Sequence, residues 1–175
     1  MSSPTPSGKL SVRELCILAF FAALMFSVKT VLASIPNVNL NALLIILVTV
    51  YFGWRALYAV GVYILLEGLI FGFSIWWFSY LYIWPGLVVL AMLFRRNESA
   101  LVWAVLAGVY GLLFGPLIYI GYFAITGGWR SYAAMWIAGI PYDLAHAAGN
   151  FVFTLALYVP LYKVMAHYLP GRETA

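Results

Sequence analysis

The chain has 175 residues, of which 66% are hydrophobic, 18% are aromatic and only 8% are charged. Together with a mean hydropathy of +1.01, this composition excludes a soluble globular domain and indicates an integral membrane protein. The net charge of +4 comes from Lys and Arg residues scattered at the ends of apolar segments, so we expect the lipid bilayer, and no nucleic acid, to be their partner.

Six apolar segments are each predicted to form a transmembrane helix, which gives an all-α bundle with one membrane domain over residues 9–169. Residues 1–8 (MSSPTPSG) have no apolar periodicity and are predicted to be a disordered leader, and residues 170–175 a cytoplasmic tail. The second segment is short, and its boundary with the third is the least marked. The predicted helices cover about 11–33, 40–52, 54–71, 75–94, 100–125 and 138–166.

The first segment begins with Ser11 and Glu14 in the spacing of a capping box. A secretory signal is the alternative interpretation, but the length of the apolar run and its interruption by Lys29 favour a retained helix. The single Cys16 excludes an intrachain disulfide and is predicted to be a small buried side chain.

Six spans place both termini on the same side of the membrane. Most Lys and Arg residues, including Arg55, Arg95 and Arg96, then lie on the side of the termini. Because cytoplasmic loops are rich in Lys and Arg, the termini are predicted to be cytoplasmic, in a multi-pass protein of a prokaryotic plasma membrane.

Five polar residues are predicted at a similar depth in the outer half of the membrane: Lys29, Glu67, Asp143, His146 and Asn150. The last three fall within an arc of roughly 60° on one helix. Ionisable groups that face lipid are costly, so these side chains should face the bundle interior or a water-filled cavity. Lys29, Glu67 and Asp143 form a predicted charge network, in which Lys29 could pair with either acid.

The position of each polar residue in the predicted sixth helix indicates a different role for Asp143 than for His146 and Asn150. Pro141 suits a first helical turn, and Asp143 beside it would be favoured by the helix dipole. Asp143 is therefore predicted to be an organiser, whereas His146 and Asn150, one and two turns deeper, are predicted to touch a ligand.

The wider candidate site adds asparagines that follow the first helix and aromatic residues at the same depth, although more than half of the aromatic residues there are expected to be an interfacial belt. The predicted substrate-binding residues are Asn37, Asn39, Asn41, Glu67, Trp77, Tyr80, Trp84, Tyr119, Trp136, Tyr142, His146 and Asn150. Two alternatives stay open: an intramembrane enzyme that uses His146 and Asp143, and a subunit in which the polar residues only hold helices together. No cofactor or metal is expected, and no ATP-binding motif is present in the sequence.

The first predicted helix also contains Ala19, Ala22 and Ala23, and small residues four apart allow another helix to approach closely. With six spans, a cytoplasmic N-terminus and a polar start to the last helix, the chain resembles the substrate-binding S component of energy-coupling factor (ECF) vitamin transporters over residues 9–168. The resemblance implies tight binding of a vitamin at the outer side. It also implies that the three alanines contact a transmembrane coupling protein, which carries two cytoplasmic ATPase subunits.

The substrate is predicted from the same resemblance and from the composition. S components for nickel and cobalt carry a histidine after the initiator Met, and Ser2 here disfavours a metal ion. The low charge and high aromatic content suit a bulky ligand with few formal charges. Cobalamin is the first prediction and a riboflavin-like molecule the second, followed by pantothenate and thiamine-related molecules.

Overall fold

The computed structural model describes residues 10–34 and 40–169, and within these ranges the chain forms helices and no strand. The predicted leader, the tail and residues 35–39 lie outside the described residues. Short 3-10 turns follow α1 and α2. The helices are α1 Val12–Val31, α2 Asn41–Phe52, α3 Ala56–Phe71, α4 Ile75–Leu93, α5 Ala100–Leu112, α6 Phe114–Thr126 and α7 Trp129–Tyr168.

Five stretches of the described chain are long and apolar enough to cross a membrane, which is consistent with a multi-pass membrane protein. The prediction of an all-helical fold is confirmed. The stretches are Val12–Val31, Asn41–Phe71, Ile75–Leu93, Ala100–Ala124 and Trp129–Tyr168.

The beginning of α1 has the predicted capping box. The Glu14 amide donates to Ser11 Oγ at 3.2 Å, and the Ser11 amide donates to Glu14 Oε2 at 2.8 Å. These two bonds satisfy amides that have no partner inside the helix. Cys16, one turn further on, is exposed, so the prediction that it is buried is wrong.

Helix α2 lies at the centre of the bundle. All twelve of its residues are buried, and it packs against α1, α3, α4, α5 and α7. A helix that is apolar on every side belongs in a core, and the Thr49 hydroxyl is accommodated there because it donates to the Ile45 carbonyl at 2.7 Å.

The chain reverses between α2 and α3, at Gly53. The Asn41 side chain donates from Nδ2 to the Tyr63 hydroxyl at 2.8 Å, whereas a straight helix would separate these residues by about 33 Å. Gly53 has a φ of +61°, which other residues rarely adopt. Arg95, at the end of α4, donates from Nε to the Val50 carbonyl at 3.2 Å and so satisfies one of the last carbonyls of α2.

The predicted fifth segment is divided at Leu113 into α5 and α6, and both helices pack against α7. α7 begins at Trp129, nine residues before the predicted start at 138, and its 40 residues are about 60 Å long. The interval 126–137, which the sequence left between the fifth and sixth predicted helices, is therefore mostly helical. Pro141 lies inside α7 and not in its first turn, which corrects the sequence interpretation; interior prolines are tolerated in membrane helices.

The beginning of α1 and the end of α7 meet at one end of the bundle, which we call the terminal end. Arg13 donates from Nη2 to the Tyr168 carbonyl at 3.0 Å, and Arg55 forms an ion pair with Glu14 at 2.5 Å. The end of α1 and the beginning of α2 therefore lie at the opposite end, together with Lys29.

Candidate functional site

An ion pair between Lys29 and Glu67 joins α1 to α3 at the end of the bundle away from the termini. Glu67 is 0% exposed, whereas 29% of the Lys29 side chain is exposed. Lys29 lies in the last turn of α1, where the helix dipole favours a cation. Of the two pairings that the sequence left open, Lys29 with Glu67 is the one that forms.

Three aromatic rings surround the Lys29 ammonium, and we call them the aromatic cage. Nζ lies 5.1 Å from the ring centroid of Tyr80, 5.3 Å from that of Trp76 and 5.5 Å from that of Phe71. Ring faces carry negative charge density and attract a cation at these distances. The Tyr80 hydroxyl also accepts a hydrogen bond from Nζ at 3.4 Å.

The ammonium and the aromatic cage line a cavity of about 350 Å³ at this end of the bundle. Tyr80 is the member of the lining that the sequence predicted as a binding residue. Phe71 and Trp76 were missed as site residues, although Phe71 follows Glu67 by four residues and Trp76 precedes Tyr80 by four, which places each pair on one helix face. The lining consists of Lys29, Thr30, Ala33, Phe71, Trp76 and Tyr80.

A second layer of aromatic residues lies beneath the cage. The Trp84 ring contacts Tyr80, with centroids 5.5 Å apart, and Phe114, with centroids 5.3 Å apart. The His146 ring meets Phe114 edge-on at 4.7 Å. His146 is 3% exposed and is separated from the aromatic cage by Phe114, so it does not line the cavity.

Asp143 does not join the Lys29 ion pair. Its Oδ1 accepts a hydrogen bond from the Gly115 amide at 3.0 Å, in the first turn of α6. A carboxylate is favoured at a helix N-terminus. The sequence predicted that Asp143 lies at the N-terminus of its own helix, α7, but the N-terminus that it contacts is that of α6. The predicted role of Asp143 as an organiser agrees with this contact.

The polar stripe on α7 continues inward on the face that packs against α5 and α6. Asn150 Nδ2 donates to the Ala107 carbonyl at 3.3 Å, and Asn150 is 3% exposed. Thr154, one turn further, is fully buried as well. The prediction that this stripe faces the bundle interior is confirmed, but Asn150 is absent from the lining of the described cavity.

Two further predicted site residues tie helices together. Asn41 joins α2 to Tyr63 of α3, and Trp77 donates from Nε1 to the Ile64 carbonyl at 2.7 Å, which ties α4 to α3. These hydrogen bonds fix neighbouring helices to one another, and neither side chain belongs to the lining of the cavity.

The remaining predicted site residues lie away from the cavity. Tyr119 packs beside Gly139 of α7, and the side chains of Trp136 and Tyr142 are 43% and 57% exposed. Asn37 and Asn39 lie outside the described residues.

The alanines of α1 divide between two faces. Ala19 and Ala23 are exposed, whereas Ala22 is 0% exposed and belongs to the core. Ala22 therefore cannot touch a partner that docks on the outside of α1.

No protein-family model matches the chain, and comparisons with curated proteins and with solved structures find no match either. Within residues 10–34 and 40–169, no group of three or more His, Cys, Asp or Glu side chains lies close enough to hold a metal ion. The functional assignment therefore depends on the geometry of the cavity and on the surface of α1.

Proposed function

We propose that the protein is the substrate-binding subunit of an ECF-type uptake transporter, and that it binds a vitamin-class molecule at the end of the bundle opposite the termini. The observation that carries this proposal is the cavity lined by Lys29 and the aromatic cage. A concave site with several aromatic rings and a few polar groups is typical of small-molecule binding.

The reversal at Gly53 supports a six-span topology. Because α2 and α3 run in opposite directions, we infer that the apolar stretch Asn41–Phe71 crosses the membrane twice, so that the five apolar stretches give six crossings. Arg13 and Arg55 lie at the terminal end, beside Tyr168 and Glu14. By the positive-inside rule this end faces the cytoplasm, so the cavity opens to the outside.

The size of the cavity changes the order of the candidate substrates. A volume of about 350 Å³ is near the lower limit of small-molecule sites. Ring-containing molecules of flavin or thiamine size suit it best, because the ring faces of Trp76 and Phe71 offer flat apolar contacts. Cobalamin is much larger and requires the cavity to widen.

The exposed alanines of α1 support a partner on that helix. Ala19 and Ala23 are four residues apart on the outside of the bundle, where small side chains let a second helix approach closely. The proposed partner is the transmembrane coupling protein, with ATP hydrolysis on its two cytoplasmic ATPase subunits. Ala22 is excluded from this interface by its burial.

The proposed partner surface is tested by replacing its small side chains with large ones. Ala19→Trp and Ala23→Trp should prevent co-purification with the coupling protein and abolish uptake, while ligand binding by the isolated subunit is unchanged. Val62→Trp, at an exposed site on α3, is the matched control and should retain both complex formation and uptake. Normal uptake by both alanine variants would contradict the assignment of this surface.

The enzyme alternative receives no support from the arrangement of α7. His146 is buried against Phe114, and Asp143 is engaged by the Gly115 amide, so neither side chain lines the described cavity. A general base must reach the proton that it removes.

A further inference from the structure

The Lys29–Glu67 ion pair is buried unevenly. Glu67 is 0% exposed, whereas Lys29 is 29% exposed and lines the cavity. The Lys29 ammonium is carried by a flexible four-carbon stem near the end of α1. It can therefore turn towards water, which the carboxylate of Glu67 cannot do.

The carboxylate of Glu67 needs a positive charge beside it. An uncompensated charge in a buried site is strongly destabilising, even where the complete ion pair contributes little. Among the described residues, Glu67 Oε1 already has no hydrogen-bond partner. An occupant that moves Lys29 away from Glu67 must therefore bring a positive charge of its own.

The aromatic cage favours the same kind of occupant. Three ring centroids lie between 5.1 and 5.5 Å from Lys29 Nζ, and aromatic cages of this kind are typical sites for organic cations. The position that such a cation would take is held here by the ammonium of the chain itself.

We propose that the cavity binds its ligand through an organic cation, a protonated amine or a quaternary nitrogen, which replaces Lys29 Nζ beside Glu67 and within the aromatic cage. Lys29 is then a tethered competitor: it keeps Glu67 paired before the ligand binds and turns towards water when the ligand enters. An anionic ligand would draw Lys29 away and leave Glu67 unpaired, so the site discriminates against it. This inference names the substrate class of the proposed binding subunit and rests on that proposed function.

The test uses the purified full chain and a pair of probes that differ only in charge. Choline and its uncharged isostere 3,3-dimethylbutanol are titrated calorimetrically into the wild type, Glu67→Gln and Lys29→Met. We expect the wild type to bind choline at least about tenfold more tightly than the isostere. Glu67→Gln should remove this preference, and Lys29→Met should bind choline about tenfold more tightly than the wild type because the competitor is gone.

Equal binding of the two probes by the wild type, or no binding of either, overturns the inference. Weaker choline binding by Lys29→Met overturns it too, because Lys29 would then be a ligand contact. If Lys29→Met does not fold, the comparison of the wild type with Glu67→Gln still decides the matter.

The inference and the proposed function fail in different ways. Tight binding of an uncharged vitamin without discrimination between the two probes overturns the cation site and leaves the transport function standing. Discrimination between the probes, together with no binding of any vitamin and no vitamin uptake by cells that carry the protein and its coupling partners, supports the cation site and counts against the transport function.

Discussion

The carboxylate of Asp143 connects α7 to the beginning of α6. Oδ1 accepts from the Gly115 amide at 3.0 Å, next to Pro116, which has no amide hydrogen to donate. The first amides of α6 have no acceptor within their own helix. Asp143 thus supplies from α7 the acceptor that a capping residue would supply locally.

Substitution of Asp143 should change stability and leave ligand affinity unchanged. Asp143→Asn keeps an oxygen that can accept from Gly115, so we expect a loss of less than about 1 kcal/mol in the free energy of unfolding. Asp143→Ala removes the acceptor and should cost about 1–2 kcal/mol. Thermal unfolding of the purified protein in detergent measures both. Equal melting temperatures for Asp143→Ala and the wild type would show that the contact is unimportant.

The sequence placed the polar residues at a common depth but could not tell which of them meet. Depth follows from residue count along a helix, whereas contact also needs the rotation of each helix about its axis. Lys29 was equally compatible with Glu67 and Asp143 for this reason. His146 was predicted to touch ligand because, unlike Asp143, it lies too deep to be explained by the helix dipole. Nothing in the sequence indicated that Phe114 stands between it and the cavity.

Helices α5 and α7 approach closely because glycines of α5 face α7. A Cβ atom added to Gly111 would lie 2.8 Å from Asn150 Nδ2 and 3.0 Å from the Cα atom of Ala147. Backbone atoms of a packed helix cannot move away singly, so a larger residue must separate the two helices.

Gly111→Ala should therefore destabilise the bundle by about 1–3 kcal/mol, the usual cost of overpacking. Gly61→Ala is the matched control, since a Cβ atom there meets nothing within 4 Å. We expect this variant to be unchanged or stabilised by up to about 1 kcal/mol, because alanine favours helix. Comparison of the two variants in chemical unfolding measures the effect. A Gly111→Ala protein as stable as Gly61→Ala would refute the close approach.

Helix boundaries were predictable where a strong turn signal stands in the sequence. Gly53 and Gly72, both with positive φ, divide segments close to the predicted positions. The division at Leu113 was missed because the apolar run from 100 to 125 continues through it. The start of α7 was placed too late because Pro141 was read as a first-turn residue, although a membrane helix accommodates an interior proline.

The number of membrane crossings depends on whether α2 and α3, between which the chain reverses at Gly53, each cross the bilayer. Ser74 and Ser99 are exposed residues that precede α4 and α5. With the proposed cytoplasmic N-terminus, six crossings place Ser74 outside the cell and Ser99 in the cytoplasm, whereas an uninterrupted span over Asn41–Phe71 would exchange the two sides.

Cysteine labelling separates these topologies. In a Cys16→Ser background, Ser74→Cys should react with a membrane-impermeant maleimide in intact cells, and Ser99→Cys should react only after the cells are permeabilised. The opposite pattern would contradict this topology, because it arises either if α2 and α3 form one crossing or if the six-span bundle is inverted, with the cavity facing the cytoplasm.

An all-helical membrane fold could be predicted from composition and apolar segment length alone, because the bilayer requires every backbone group to be satisfied within a helix or a closed barrel. The cavity could not be predicted from the sequence, because its lining comes from residues of α1, α3 and α4 whose contacts depend on tertiary packing. Neither the fold nor the cavity by itself indicates transport. We propose this function from the cavity together with the alanine surface of α1.

The proposed function requires that a vitamin binds in the cavity beside Lys29. The most direct measurement is calorimetric titration of the purified full chain with a vitamin panel, in parallel on the wild type, Trp76→Leu and Trp136→Leu. Trp76 lines the cavity, whereas Trp136 lies outside its lining. We expect one vitamin to bind the wild type and Trp136→Leu equally, and to bind Trp76→Leu about tenfold more weakly because a ring contact is lost. Binding of no vitamin, or unchanged binding by Trp76→Leu, would contradict the account.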